Sequence, residues 1–221
     1  MSFFSIYIIV IMLGERFAFS RDMGLKSVHN AMMGNKKPSV QEKAELANIA
    51  YTPSEERPSM MGKFQKYEPF NDERIAVYKD DASKRINVGF RGTADMADVA
   101  TDITAIIGGQ KALNPYYQKA EFTVEKLKEL HPDYNITVAG HSLGGNVAKY
   151  VAEKNPDIKA FGYNPGAGIS DAFSQNPENF FTFRNKTDIV SLLDNPSNPR
   201  GEFYDVKNPF ASHSLKTFLN R

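Results

Sequence analysis

The chain has 221 residues, 41% of them hydrophobic and 24% charged, and its formal net charge is +1. This composition is typical of one globular domain and excludes a disordered chain. The balanced charge gives no electrostatic reason to expect nucleic acid as a partner. The absence of cysteine excludes thiol catalysis, zinc–thiolate sites and disulfides.

Residues 3–13 (FFSIYIIVIML) form an apolar segment at the amino terminus. As a helix it would span about 17 Å, which is shorter than the bilayer core of about 30 Å. This length fits the apolar core of a signal peptide better than a membrane-spanning helix. We expect a signal peptide or membrane anchor over residues 1–20, followed by one domain over 21–221. Glu15 and the lack of a basic residue before the segment oppose this interpretation, and a buried strand or helix is the alternative. We therefore expect a secreted or membrane-associated protein rather than a cytoplasmic one.

The chain from residue 40 onward alternates helical and extended patterns. Apolar residues at spacings of three and four predict the helix over 115–130, and a polar turn predicts a hairpin between two early strands. The predicted elements are a helix over 40–51, strands over 74–78 and 85–90, helices over 115–130 and 146–154 with a strand over 136–139 between them, strands over 158–163 and 180–184, and a helix over 215–219. This order predicts an α/β fold with a mostly parallel central sheet and helices on both faces.

The strongest functional signal is the segment GHSLGG at residues 140–145, which matches the G-x-S-x-G nucleophile elbow. A predicted strand precedes it and a predicted helix follows it, as that turn requires. A serine presented on such a turn has a strained backbone, and side chains at Gly140 and Gly144 would collide with the neighbouring strand and helix. The pattern predicts Ser142 as a catalytic nucleophile.

A serine hydroxyl needs a base, and the chain offers four histidines for that role: His29, His131, His141 and His213. The first precedes all the predicted strands, the second ends a helix, and the third is adjacent to the nucleophile on a tight turn and points elsewhere. His213 follows the last strand and precedes a short helix, so a loop can carry it to the carboxyl edge of the sheet. We predict His213 as the base.

The imidazole needs a carboxylate that orients it, and in this fold class the acid lies between the serine and the histidine in the chain. Asp188 follows the predicted strand FFTFR after three residues, where a strand-end loop would present it. Asp194 is the alternative, and Asp171 has the surroundings of an ordinary turn residue. We predict Asp188 as the acid.

Backbone N–H groups are expected to stabilise the oxyanion that forms during acyl transfer. One comes from Leu143, the residue after the nucleophile. The loop after the strand over 85–90 has the sequence FRGT, in which Gly92 permits a close backbone approach and Thr93 offers an N–H. A simple glycine turn is the alternative interpretation of this loop.

Taken together, these segments resemble the class 3 lipases, or fungal lipase-like proteins, of the α/β-hydrolase fold. The similar segments cover roughly residues 40–221 and occur in the family's order: LANIAY, FRGT, GHSLGG, FGYNPGAG, NKTDIVS and HSLKTFL. The resemblance implies Ser142, Asp188 and His213 as the catalytic triad, with Thr93 and Leu143 as oxyanion donors. It also implies a lid over 94–115, for which a surface helix is the alternative, although the family's common tryptophan is absent.

The resemblance implies that the domain over 21–221 is an α/β-hydrolase lipase-like domain, and that the protein is a carboxylic ester hydrolase of the triacylglycerol lipase or phospholipase A1 type. Its substrate would be a lipid ester, an acylglycerol or a phospholipid, cleaved through an acyl-enzyme with no metal or other cofactor. Transient contact with a membrane or lipid interface is expected. An acyltransferase or thioesterase on the same scaffold is one alternative function. A non-catalytic, membrane-bound binding protein is another.

Overall fold

The computed structural model of the protein describes residues 40–93, 111–167, 171, 174–188, 190–191, 201–205 and 213–219. The apolar segment over 3–13 and nearly all of the predicted lid lie outside these residues. The elements are α1 (Val40–Ile49), β1 (Met60–Met61), β2 (Phe64–Lys66), β3 (Ile75–Asp80), β4 (Arg85–Phe90), α2 (Pro115–Leu130), β5 (Asn135–His141), α3 (Leu143–Lys154), β6 (Lys159–Tyr163), β7 (Phe180–Asn185), β8 (Gly201–Tyr204) and α4 (Lys216–Leu219). Within the described ranges no helix is both long and apolar enough to cross a membrane.

The eight strands form one sheet in the order β1 to β8. β1 to β4 pair antiparallel, and β4 to β8 pair parallel. The register places Phe90 of β4 beside Gly140 of β5, and His141 of β5 beside Tyr163 of β6. The carboxyl ends of β4, β5 and β6 therefore meet at one edge, and the prediction of a mostly parallel sheet is confirmed.

Helices cover both faces of the sheet, as predicted. On one face α2 and α3 pack through Val124 and Val147 against strand residues that include Val88 and Val138. On the other face α1 and α4 pack against a second cluster that contains Tyr163 and other strand residues. The helix that follows the turn at Ser142 is thus packed between α2 and the sheet.

Two differences from the predicted elements lie around the GHSLGG segment. β5 continues to His141, and α3 begins at Leu143 rather than at residue 146. Glycine weakens any helix prediction because it has a low helix propensity. In the folded protein, close packing of the turn against β4 and β5 outweighs that propensity.

Candidate active site

Ser142 occupies a sharp turn between the end of β5 and the start of α3. Its φ of 56° and ψ of −125° lie in a region that costs free energy for a residue with a Cβ. A Cβ on Gly140 would lie 2.0 Å from the carbonyl oxygen of Gly144, and a Cβ on Gly144 would lie 2.1 Å from that of Phe90. Both glycines, predicted as part of the elbow, are therefore required by backbone contacts that leave no room for a side chain.

Four hydrogen bonds stabilise this strained backbone. The Ser142 N–H donates to the carbonyl oxygen of Tyr163 on β6, at 3.1 Å. The Ser142 carbonyl oxygen accepts from the N–H groups of Gly145, Asn146 and Gly166, at 2.9, 3.2 and 2.8 Å. The turn is thus anchored to the neighbouring strand, to its own helix and to the loop after β6.

The Ser142 hydroxyl meets the ring of His213, which comes from a segment 71 residues further along the chain. His213 Nε2 lies 2.8 Å from Ser142 Oγ, and His213 Nδ1 lies 3.0 Å from Asp188 Oδ1. A carboxylate only accepts hydrogen bonds, so the proton is assigned to Nδ1, and Nε2 is then the acceptor for the serine hydroxyl. This tautomer is the one that can take a proton from Ser142.

Asp188 follows β7, and its carboxylate is completely buried. Oδ1 also accepts from the Val190 N–H at 3.1 Å, and Oδ2 accepts from the Ser191 hydroxyl at 2.6 Å. Burial alone would raise the pKa of Asp188, but the His213 ring and these two donors hold it below its usual value. Ser191 was not among the predicted site residues, although it lies within the segment NKTDIVS that suggested the acid.

The two predicted oxyanion donors, Leu143 and Thr93, belong to two segments that meet at the Ser142 turn. Leu143 is the first residue of α3, and the first N–H groups of a helix are not used by its own backbone hydrogen bonds. Thr93 follows Gly92 in the loop after β4, and a Cβ on Gly92 would lie 3.2 Å from the Cβ of Ser142. The FRGT loop therefore runs directly against the serine.

The sequence also offers Asp194 and Asp171 between the serine and the histidine. Asp194 lies outside the described residues. Asp171, which the sequence presents as a turn residue, is instead buried, and its Oδ1 lies 2.7 Å from Lys111 Nζ and 2.9 Å from Lys149 Nζ. Its environment is an ion-pair cluster against α3, so it is not an ordinary exposed turn residue.

The sheet, the helices on both faces and the strand–turn–helix around Ser142 define an α/β-hydrolase. Comparison with protein families agrees with this class, since the model described as "Lipase (class 3)" matches residues 87–196. The chain belongs to the class 3 lipase family. Members of this family are lipases, so the protein is a carboxylic ester hydrolase of the lipase type.

The chain is similar to solved structures of fungal lipases. The Lip2 lipase of Yarrowia lipolytica is 20% identical, with a TM-score of 0.53, over 78% of this chain and 81% of that one. A triacylglycerol lipase of Penicillium expansum is 16% identical, with a TM-score of 0.47, over 75% of this chain and 79% of that one. At 20% identity and a TM-score of 0.53, the likeness to Lip2 shows a shared fold and nothing beyond it.

Proposed function

We propose that the protein hydrolyses carboxylic esters of lipids through an acyl-enzyme on Ser142, with His213 as base and Asp188 as the orienting acid. One observation carries the proposal: the three side chains form a continuous hydrogen-bonded line, 2.8 Å from Ser142 Oγ to His213 Nε2 and 3.0 Å from His213 Nδ1 to Asp188 Oδ1. Membership of the lipase family supports ester hydrolysis as the reaction class.

In the first stage Ser142 Oγ attacks the ester carbonyl carbon while its proton passes to His213 Nε2. The charge that develops on the carbonyl oxygen is stabilised by the N–H groups of Leu143 and Thr93. The bond between the carbonyl carbon and the alcohol oxygen then breaks, and the leaving alcohol takes up the proton that His213 received from Ser142. Asp188 stabilises the protonated imidazole throughout this stage.

In the second stage water attacks the acyl-enzyme carbonyl and gives its proton to His213. The tetrahedral intermediate collapses, Ser142 Oγ recovers the proton, and a fatty acid is released. The substrate class that we propose is an acylglycerol or a phospholipid. No step requires a metal or another cofactor.

Replacement of Ser142 by alanine tests the nucleophile. Ser142→Ala is expected to abolish hydrolysis of p-nitrophenyl butyrate and labelling by a fluorophosphonate probe, with the fold retained by circular dichroism. Ser83→Ala is the matched control, because Ser83 precedes β4 and so lies at the opposite edge of the sheet. Unchanged activity in Ser142→Ala, or a probe adduct on another residue, would reject the assignment.

Hydrolysis rates across a panel of lipids test the substrate class. Triacylglycerols, diacylglycerols and phospholipids would be presented below and above the concentration at which they form an interface, and the released products identified. Fatty acid is the expected product. Transfer of the acyl group to an added alcohol in preference to water would favour an acyltransferase instead.

A further inference from the structure

His141, the residue before the nucleophile, has both ring nitrogens in hydrogen bonds. Its Nδ1 lies 2.9 Å from the hydroxyl of Tyr51, and its Nε2 lies 2.6 Å from the backbone carbonyl oxygen of His213. The ring is buried, and its centroid lies 4.9 Å from that of His213. The sequence excluded His141 as a base, but its contacts show a different connection with the site.

The two hydrogen bonds have a defined direction. A carbonyl oxygen only accepts, so the proton of His141 is on Nε2 and is donated to His213. Nδ1 is then an acceptor, and the Tyr51 hydroxyl donates to it. Tyr51 therefore selects the single tautomer of His141 that can bind the His213 backbone.

The backbone of His213 depends on such contacts more than the other site residues do. Ser142 and Asp188 each follow a strand of the sheet, whereas His213 precedes a helix of four residues, Lys216–Leu219. The bonds to Ser142 and Asp188 orient its ring. The bond from His141 is the one described contact that holds its carbonyl group.

We propose that Tyr51 and His141 act as positioning residues, forming a relay that holds the His213 backbone so that its ring stays in line with Ser142. This inference rests on the proposed function, because it assigns His213 as the base. Neither relay residue touches the ester or donates a proton to it. Their effect is on the distance and angle between His213 Nε2 and Ser142 Oγ, to which proton transfer is sensitive.

The surroundings of the relay fit this role. Burial and the repulsion from His213 lower the pKa of His141 to about 3, so His141 stays neutral when the neighbouring imidazole becomes charged. Burial raises the pKa of Tyr51, while a hydrogen bond with the Gly92 backbone opposes that shift. Tyr51 thus also contacts the FRGT loop, and it connects the proposed oxyanion side of the site with the base.

The test compares four variants with the wild-type protein. Tyr51→Phe removes only the hydroxyl, His141→Leu removes the donor to His213, and His141→Gln restores an N–H donor on a neutral side chain. Tyr78→Phe is the matched control, since Tyr78 is fully buried and its hydroxyl donates to the Pro58 carbonyl at 2.9 Å, a contact outside the site. Circular dichroism and melting temperature would establish that each variant folds.

Activity against p-nitrophenyl butyrate is the first measurement. One lost hydrogen bond predicts that kcat falls about threefold to tenfold in Tyr51→Phe, with KM changed less than about twofold. His141→Leu should fall further, and His141→Gln should recover part of that loss. Tyr78→Phe should keep the wild-type kcat even where its melting temperature falls as far as that of Tyr51→Phe.

The proton NMR resonance of the hydrogen between His213 Nδ1 and Asp188 is the second measurement. It should shift or broaden in Tyr51→Phe and His141→Leu and stay unchanged in Tyr78→Phe. If kcat and this resonance in the relay variants match those of Tyr78→Phe, the relay is wrong, whatever the outcome for Ser142→Ala. If the wild-type protein hydrolyses no ester, the proposed function fails, and the resonance still decides whether the relay holds His213.

Discussion

Burial of the His141 ring is expected to make the folded protein lose stability as the pH falls below 6.5. The pKa of this ring is lowered from 6.5 to about 3, first by burial and then by the charge of His213, and the nearby Asp188 carboxylate opposes the shift without reversing it. Tyr51, the other group that contacts the ring, donates a hydrogen bond and stays neutral. Between these two pKa values the unfolded chain binds a proton at His141 that the folded chain does not bind. Stability from this group is therefore complete above the unfolded pKa and is lost as the pH falls.

The size of the effect follows from the same two values. A pH near 5 is about 1.5 units below the unfolded pKa, and each unit corresponds to about 1.4 kcal/mol, so His141 alone should reduce the free energy of unfolding by about 2 kcal/mol. Other groups titrate over the same range, so the difference between wild type and His141→Gln isolates this contribution. Urea unfolding of both proteins near pH 7.5 and near pH 5 would measure it.

The matched control is His131→Gln, which removes a partly exposed imidazole bonded to the Tyr67 hydroxyl at 3.2 Å. It corrects for the loss of one histidine from the chain. If wild type and His141→Gln lose the same free energy of unfolding between the two pH values, the ring accepts a proton in the folded state. The neutral relay argued above would then be wrong as well.

Three further substitutions probe the surroundings of the site. Ser191→Ala removes a charge-assisted hydrogen bond from the buried carboxylate of Asp188. The free energy of unfolding should fall by about 1.5–3 kcal/mol, and kcat should fall with it. An unchanged kcat would show that Asp188 Oδ2 needs no hydrogen-bond donor for catalysis. Asp171→Ala removes the carboxylate that pairs with the buried Lys149 ammonium, and the free energy of unfolding measured in urea should fall by about 3–5 kcal/mol. Lys149→Met leaves the Asp171 carboxylate paired with Lys111, so the loss should be smaller. Equal losses in the two variants would contradict this order. Gly144→Ala places a Cβ 2.1 Å from a backbone oxygen of β4, and a fully active, fully stable variant would refute the close packing of the turn.

The sequence predicts the site best where its chemistry is local. The glycines of GHSLGG leave a local signal because the turn that they form spans only six residues. His213 could be proposed by elimination because the chain has just four histidines. Asp188 could be placed only relative to a predicted strand, which is why Asp194 stayed open as an alternative.

Features that depend on distant contacts could not be predicted. Tyr51 is 90 residues from His141 in the chain, and its hydrogen bond to that ring has no local pattern. The strands β1, β2 and β8 were missed because segments of two to four residues are too short to show an alternation of polar and apolar side chains. Burial of Asp171 was missed because its two lysine partners come from distant parts of the chain.

The topology explains why the proposed base needs more support than the other parts of the site. Parallel strands present their carboxyl ends at one edge, and ligands of open α/β sheets bind there. β4 leads into the FRGT loop, β5 ends beside Ser142, and β7 leads into the loop of Asp188, so the sheet itself positions three components. His213 is positioned instead by its bonds to two of these components and by the His141 ring. Because the remaining anchor is a single turn of helix, loss of the His141 bond should affect catalysis before it affects the overall fold.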